Sequence, residues 1–365
     1  MEMPLNSNSI TERFRMREQV ERRAGNFENV LAARVKPAVT PEARFQEFRF
    51  PTEQPSTLLR RLLEEEHYIF APGLYNAGGV KLAAYAGFKA AYLSGYSYAL
   101  EEHGITDVGA FSRSELAEQA RRMVRASDLW VREQYVQHGQ VRSRLPLIAD
   151  LEDGHGGFGQ VQTLTHLMVQ AGVAAGHLED QAERRCGHLP GKVLVTVDKQ
   201  IERLLAARSE ADQLGYDDFV LIARTDAIAV EGFEAAIERG RLYEKAGADV
   251  IFVEAPRTRQ QLAAIPPAFG VPALLNVGAS GKTPMLGAEE ARELGFSLAI
   301  YPNFVILAAI PAVRRALKEL KEKGSPAALL GEIAGFTELF DLLGMAEIQE
   351  LEERYGVSEE ARVGY

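Results

Sequence analysis

Eight short apolar or β-branched runs, each followed by a longer stretch, constrain this chain of 365 residues more than any other feature. The runs occupy 68–71, 90–93, 145–149, 174–178, 219–223, 249–253, 273–275 and 297–301. Between them, stretches such as 160–171, 197–214, 232–246 and 288–294 repeat apolar residues every three or four positions, the period of a helix with one buried face. Strand and helix alternating in this way imply a parallel sheet. Eight units suffice to close an α/β (β/α)8 barrel, although a doubly wound open sheet satisfies the same alternation. The pattern predicts an N-terminal helical arm and linker at 1–66, a catalytic barrel at 67–321 and a C-terminal helical extension at 322–365. Within the arm, 9–35 is rich in Arg and Glu and reads as helix.

Composition narrows the function. The longest apolar stretch, 304–313, is too short to span a bilayer and contains Pro311. The first twenty residues carry charges throughout, so the chain reads as cytoplasmic. A net charge of -10 opposes binding to nucleic acid or to an anionic membrane, so an anionic substrate has to be captured by local positive groups. Cys186 is the only cysteine, which excludes an intrachain disulfide and a cysteine-based zinc cluster.

The chemistry-bearing residues fall at the ends of the apolar runs: Ser94 and Gly95, Asp150 and Glu152, Glu179 and Asp180, Arg224 and Asp226, Glu254, and Asn276. In a barrel those positions converge on the C-terminal face, where active sites are built. Asp150, Glu152, Asp153 and Glu179, with Asp107 in the loop after the second run, form a hard-oxygen set suited to Mg2+ or Mn2+. Without a cation these carboxylates repel one another and their pKa values rise. The glycine-rich DGHGGFG at 153–159 and the Gly281-Lys282-Thr283 run both lack the order of a phosphate loop. Around the cysteine, Arg184, Arg185 and His188 favour the thiolate, the setting of a reactive thiol.

That segment, RRCGH at 184–188 followed by LPGK, resembles the Cys-Gly-His segment of the isocitrate lyase and phosphoenolpyruvate mutase superfamily, and points to its lyase branch. YLSG at 92–95, DLEDGHGG at 150–157, HLEDQ at 177–181, IARTDA at 222–227 and FVEAP at 252–256 match in order. The resemblance implies a magnesium-dependent homotetramer, with a final barrel helix exchanged between subunits, that cleaves a 2-hydroxy tricarboxylate into an oxoacid and a dicarboxylate. By position, Asp150 resembles the direct metal ligand, and Asp107, Glu152 and Glu179 the groups that orient metal-bound water. Ser94, Gly95 and Tyr96 would hold the oxoacid, with Tyr92 close to its reacting oxygen and Arg224 paired with carboxylate. Gly187, His188, Asn276 and Ser280 resemble a cradle for the second carboxylate product, Glu254 supports the site, and Cys186 exchanges the proton.

Three departures stand out: Arg184 replaces a usual lysine, the connection between Gln181 and Cys186 is shorter than in similar members of the superfamily, and Gly278 replaces a usual serine in NVGASGK. Phe252, Ile300 and Pro302 stand where isocitrate lyases are similar to one another in carrying Trp, Phe and Thr. Their size and shape leave room for a methyl group. The reading expected first is therefore 2-methylisocitrate cleavage to pyruvate and succinate. Its alternatives are isocitrate cleavage to glyoxylate and succinate, a dimethylmalate lyase or an oxaloacetate hydrolase. A barrel that binds a dicarboxylate or a protein partner without turnover is the reading from outside enzymology.

Overall fold

The computed structural model describes residues 41–184, 191–279 and 281–355. The predicted helix at 9–35 lies outside them. Eight strands form a closed parallel barrel in sequence order: β1 (Ile69–Leu74), β2 (Ala91–Leu93), β3 (Leu147–Asp150), β4 (Ala175–Glu179), β5 (Val220–Thr225), β6 (Val250–Val253), β7 (Ala273–Asn276) and β8 (Leu298–Tyr301). Ile69 opposite Leu298 closes the ring. The helices are α1 (Pro41–Glu47), α2 (Pro55–Glu66), α3 (Ala77–Tyr85), α4 (Gly95–His103), α5 (Arg113–His138), α6 (Phe158–Gln170), α7 (Val197–Gln213), α8 (Phe233–Lys245), α9 (Arg259–Ala264), α10 (Ala288–Glu293), α11 (Phe304–Lys323), α12 (Phe336–Leu343) and α13 (Met345–Tyr355). The barrel, not the open sheet, is the solution this alternation takes.

Because a strand points successive side chains to opposite faces, each one divides its residues between two cores. One core, which includes Ile69, Tyr92, Ile148, Val220, Ile222, Phe252, Leu274 and Ile300, fills the barrel. The other, which includes Leu93, Ala149, Leu178, Leu221, Ile251 and Leu275, meets the helices. Leu59 of α2 joins the interior core, so this helix plugs the N-terminal end of the barrel. Its seat is fixed by Ser56 Oγ donating to Asp218 Oδ1 at 2.6 Å and by Arg60 Nε donating to the Asp218 carbonyl at 2.6 Å. Burying these apolar side chains contributes roughly 1.5–3 kcal/mol each, and the polar residues at the other end of the strands draw on that rigid scaffold.

β1 runs past the sequence expectation of 68–71, through Pro72 and Gly73 to Leu74. Gly73 allows this: a Cβ there would stand 2.3 Å from the Pro302 carbonyl oxygen. After the barrel, α11 buries only Ile306 among its residues and leaves Phe304, Val313, Leu317 and Leu320 exposed. The C-terminal helices are tied back by Lys81 Nζ, which donates to Glu133 Oε1 at 2.5 Å and to the Leu342 carbonyl at 3.1 Å, and by Arg132 with Glu347 at 2.6 Å. Among the described residues, no helix is long and apolar enough to cross a membrane.

Candidate active site

The two-residue alternation that packs the barrel also aims its chemistry. Continuing inward from Ile148 are Asp150 and Glu152, from Ile222 come Arg224 and Asp226, from Phe252 comes Glu254, and from Leu274 comes Asn276. At the C-terminal mouth Tyr92, Ser94, Tyr96, Asp107, Asp150 and Arg224 meet Phe252, Glu254, Asn276, Ile300 and Pro302 around one cavity. It has room of about 40 Å³ for the centres of water-sized molecules. Asn303, which the sequence reading passed over, completes the wall.

Ser94 is the N-cap of α4, its Oγ accepting from Ser97 N at 3.3 Å. The first amides of that helix have no partner within it, and they present partial positive charge beside the cavity. Gly95 stands behind the wall: a Cβ there would lie 3.0 Å from Asp150 Oδ2, so its bare Cα sets how closely the helix approaches that carboxylate. Tyr92 Oη is 3.3 Å from Asp150 Oδ2 and 2.9 Å from His177 Nε2. Burial, with Asp150 beside it, pushes the Tyr92 hydroxyl well above its usual pKa, so the phenol keeps its proton as a donor. His177 was also missed from sequence. Burial lowers its pKa, and the neutral ring anchors Tyr92 from inside the barrel.

Asp150 accepts from Glu152 N at 3.0 Å. Glu152 itself has φ 52°, in the left-handed region that a side chain other than glycine's seldom adopts. His155 and Ala255 share that region on the same mouth. Glu152 and Glu179 lie beneath the cavity, outside its wall. Burial, reinforced by Asp150, raises Glu152 to about 8. Glu179 is raised well above the carboxylate range by burial, which Arg224 counters and Asp226, Asp150 and Glu152 reinforce. Arg184 donates from Nη1 to Glu152 Oε2 at 2.8 Å and to His155 Nδ1 at 3.0 Å, while its Nε lies 3.3 Å from Asp153 Oδ1. A guanidinium spans these three acceptors where a compact ammonium has no such fork. Gly109 makes space for it, since a Cβ there would stand 2.6 Å from Arg184 Nε.

Magnesium fits this donor set. No three His, Cys, Asp or Glu among the described residues converge as a ready metal cage. A magnesium ion does not need one, because it keeps several waters and takes one or two carboxylates directly. Asp150 on the cavity wall would hold it, with Asp107, Glu152 and Glu179 receiving its waters. A cation there offsets the burial that chiefly raises Glu152 and Glu179, and the mutual repulsion that adds to it.

Opposite the acidic group, Arg224 donates from Nε to Asp226 Oδ2 at 2.9 Å and from Nη2 to Oδ1 at 3.1 Å, and its Nη1 lies 3.1 Å from Glu179 Oε2. Its Cζ sits 5.2 Å from the centroid of the Phe252 ring. Burial opposes its charge, yet Asp226, Glu179 and Glu254 outweigh that and hold its pKa above the usual arginine value. Asn276 Nδ2 donates to Glu254 Oε2 at 3.0 Å. Glu254 Oε1 and Asn276 Oδ1 are buried without a hydrogen-bond partner, two acceptors left for a ligand that brings hydrogen. The predicted Cys186, Gly187, His188 and Ser280 lie outside the described residues.

A profile of phosphoenolpyruvate phosphomutase matches residues 59–321, the whole barrel. The chain belongs to this family, within the phosphoenolpyruvate mutase and isocitrate lyase superfamily. It is 34% identical over 298 residues to a 2-methylisocitrate lyase of Aeropyrum pernix, covering 81% of this chain and 90% of that protein. Its fold is similar to that of oxaloacetate acetylhydrolase in complex with 3,3-difluorooxalacetate, with TM-score 0.75, 31% identity and coverage of 84% of this chain and 98% of that one. Phosphonopyruvate hydrolase in complex with oxalate and Mg++ follows at TM-score 0.69 and 26% identity, covering 83% and 99%.

Proposed function

We propose that this chain is a magnesium-dependent carbon-carbon lyase that cleaves 2-methylisocitrate to pyruvate and succinate, acting in the cytoplasm as a homotetramer with exchanged helices and no nucleic-acid or membrane partner. The observation that carries the reading is the cavity itself: the carboxylate of Asp150 and the buried guanidinium of Arg224 line it together, with Phe252, Ile300 and Pro302 beside them. The similarity to a 2-methylisocitrate lyase across 81% of the chain supports the same substrate class. The exposed apolar side chains of α11 and α12, Phe304, Leu317 and Phe336 among them, support burial against another subunit.

When bound, the magnesium ion would polarise the 2-hydroxyl and its adjacent carboxylate. Arg224 pairs with carboxylate and stabilises negative charge as the carbon-carbon bond breaks. Tyr92, held protonated, donates toward the oxygen that becomes the new carbonyl. Cys186 delivers the proton to the enolate-like dicarboxylate and withdraws it in the condensation direction. Glu254, whose Oε1 has no hydrogen-bond partner, would accept the 2-hydroxyl hydrogen as the carbon-carbon bond breaks, with Asn276 Nδ2 holding its other oxygen in place.

The test is product formation from isocitrate, 2-methylisocitrate, 2,3-dimethylmalate and oxaloacetate, each with magnesium and with chelator. Magnesium-dependent cleavage with the highest kcat/KM for 2-methylisocitrate is expected. Preference for another member of the panel reassigns the substrate, and no turnover of any leaves a binding barrel. Cys186→Ser is expected to lower turnover by roughly two or more orders of magnitude, because a hydroxyl is a far weaker acid-base group at neutral pH. Magnesium affinity should stay unchanged, and near-normal turnover would remove Cys186 from the chemistry.

A further inference from the structure

We propose that Lys192 is a positioning residue for Arg224: acting through Asp226, it offsets that carboxylate's charge and so leaves the buried guanidinium's own charge available to a substrate carboxylate. The inference rests on the carboxylate-binding role proposed above for Arg224.

Asp226 is fully buried just past the end of β5. Lys192 Nζ donates to its Oδ1, the oxygen that also accepts from Arg224 Nη2. Neither partner of this second ion pair lines the cavity. The Lys192 side chain is nevertheless only 3% exposed. An ammonium is buried at considerable cost unless its charge is put to use against a fixed partner.

Both ends of the pair are held rigidly. Asp226 N donates to Asp180 Oδ1 at 2.9 Å, and Asp180 accepts in turn from Thr225 Oγ1 at 2.7 Å, Tyr243 Oη at 3.0 Å and Arg239 Nη1 at 3.3 Å. The chain carrying Lys192 is pinned to the same place, with Ala182 N donating to the Val193 carbonyl at 2.8 Å and Val195 N to the Asp180 carbonyl at 2.9 Å. An isolated bridge between Gln181 and Leu194 completes that stem.

The charges explain the arrangement. Arg224 and Asp226 alone form a neutral unit, and Glu179, 3.1 Å from Arg224 Nη1, adds further negative character. A dianion or trianion approaching such a unit would find no net attraction. Lys192 cancels the charge of Asp226, so that even beside Glu179 the group is one unit more positive than it would be without the ammonium, in a site of low dielectric where a single charge has large reach. The bidentate hold on Arg224 is kept while its charge is returned to the cavity.

The probe is oxalate, titrated calorimetrically into the full-length protein in excess magnesium chloride. Wild type is expected to bind. Lys192→Met and Lys192→Gln are expected to bind about tenfold to a hundredfold more weakly, the glutamine variant because its amide keeps a donor to Asp226 without the charge. Lys192→Arg should retain most of the affinity. The deciding variant is Lys192→Met combined with Asp226→Asn, which restores the net charge and should recover affinity relative to Lys192→Met. Having two neutral variants covers the case in which one fails to fold. Wild-type affinity in the neutral variants, or a double variant no better than Lys192→Met, overturns the inference and reduces Lys192 to a structural clamp. No oxalate binding by wild type removes the carboxylate-binding reading itself, and the inference with it.

Discussion

On the β3 and β4 side of the barrel mouth, Asp150, Glu152 and Glu179 share one region, and Glu152 is raised to about 8 despite the guanidinium of Arg184 beside it. On the β5 side, Asp226 is more deeply buried yet held below the ordinary carboxylate range: burial would raise it, but Arg224 and Lys192 reverse the effect. Both sides are cut off from water by the same barrel. The difference is stoichiometric. The β5 group carries its own cations, whereas the acidic group has more carboxylates than guanidiniums can serve. A protein that compensates buried charge fully on one side and only partly, through Arg184 and Arg224, a few residues away leaves the second as a place suited to a cation from outside.

Asp150→Ala attacks the uncompensated side at its centre and should have the largest effect. Activity is expected to fall by roughly three orders of magnitude or more, since water cannot replace a direct carboxylate ligand. The thermal stabilisation by magnesium should vanish with it. Retained magnesium stabilisation in that variant would move the direct ligand elsewhere.

Phe252→Trp tests the wall between the two sides, where the ring lies under Arg224 and edge-on to His177 with centroids 5.5 Å apart. The larger indole should penalise 2-methylisocitrate more than isocitrate by about 10- to 200-fold in kcat/KM, the range one methyl group commands in an apolar pocket. Equal losses for both substrates would free Phe252 of any part in the choice.

Glu152→Gln sharpens the comparison by removing one uncompensated charge while keeping an acceptor for Arg184. The metal-free variant at pH 8 should be more stable than wild type, by about 4 kcal/mol at most, although it turns over more slowly. Differential scanning calorimetry reads this directly, and a destabilised variant would show that Arg184 already balances the site.

Much of this was legible in the sequence because one rule governs it. A strand that alternates its faces carries Ile148 and Asp150, or Ile222 and Arg224, to the same interior, so apolar runs ending in acids and an arginine already describe a mouth. Asp107, Phe252, Ile300 and Pro302 line the cavity. What sequence did not disclose depends on tertiary pairing. Lys192 and Asp226 are 34 residues apart, with no local pattern to join them. His177 alternates with its neighbours like any interior strand residue, and nothing nearby marks its contact with Tyr92, 85 positions away. The plugging of the barrel floor by Leu59 was equally silent, since an amphipathic helix does not say which surface it covers.

The most direct test of the uncompensated side is the pH dependence of Tm for the wild-type protein with and without magnesium. A carboxyl such as Glu152, raised in the folded state from 4.5 to about 8, binds more protons folded than unfolded across that interval. Between about pH 5 and 6.5 the buried neutral His155 and His177, both lowered by burial, act the other way, so the stability of the metal-free protein falls as pH rises from about 6.5 to 8. Magnesium, by holding the carboxylates ionised, should raise Tm most at pH 8 and little at pH 5, so the two curves diverge with pH. Parallel curves, or a metal-free protein that gains stability over the same interval, would contradict a buried acidic group awaiting a cation.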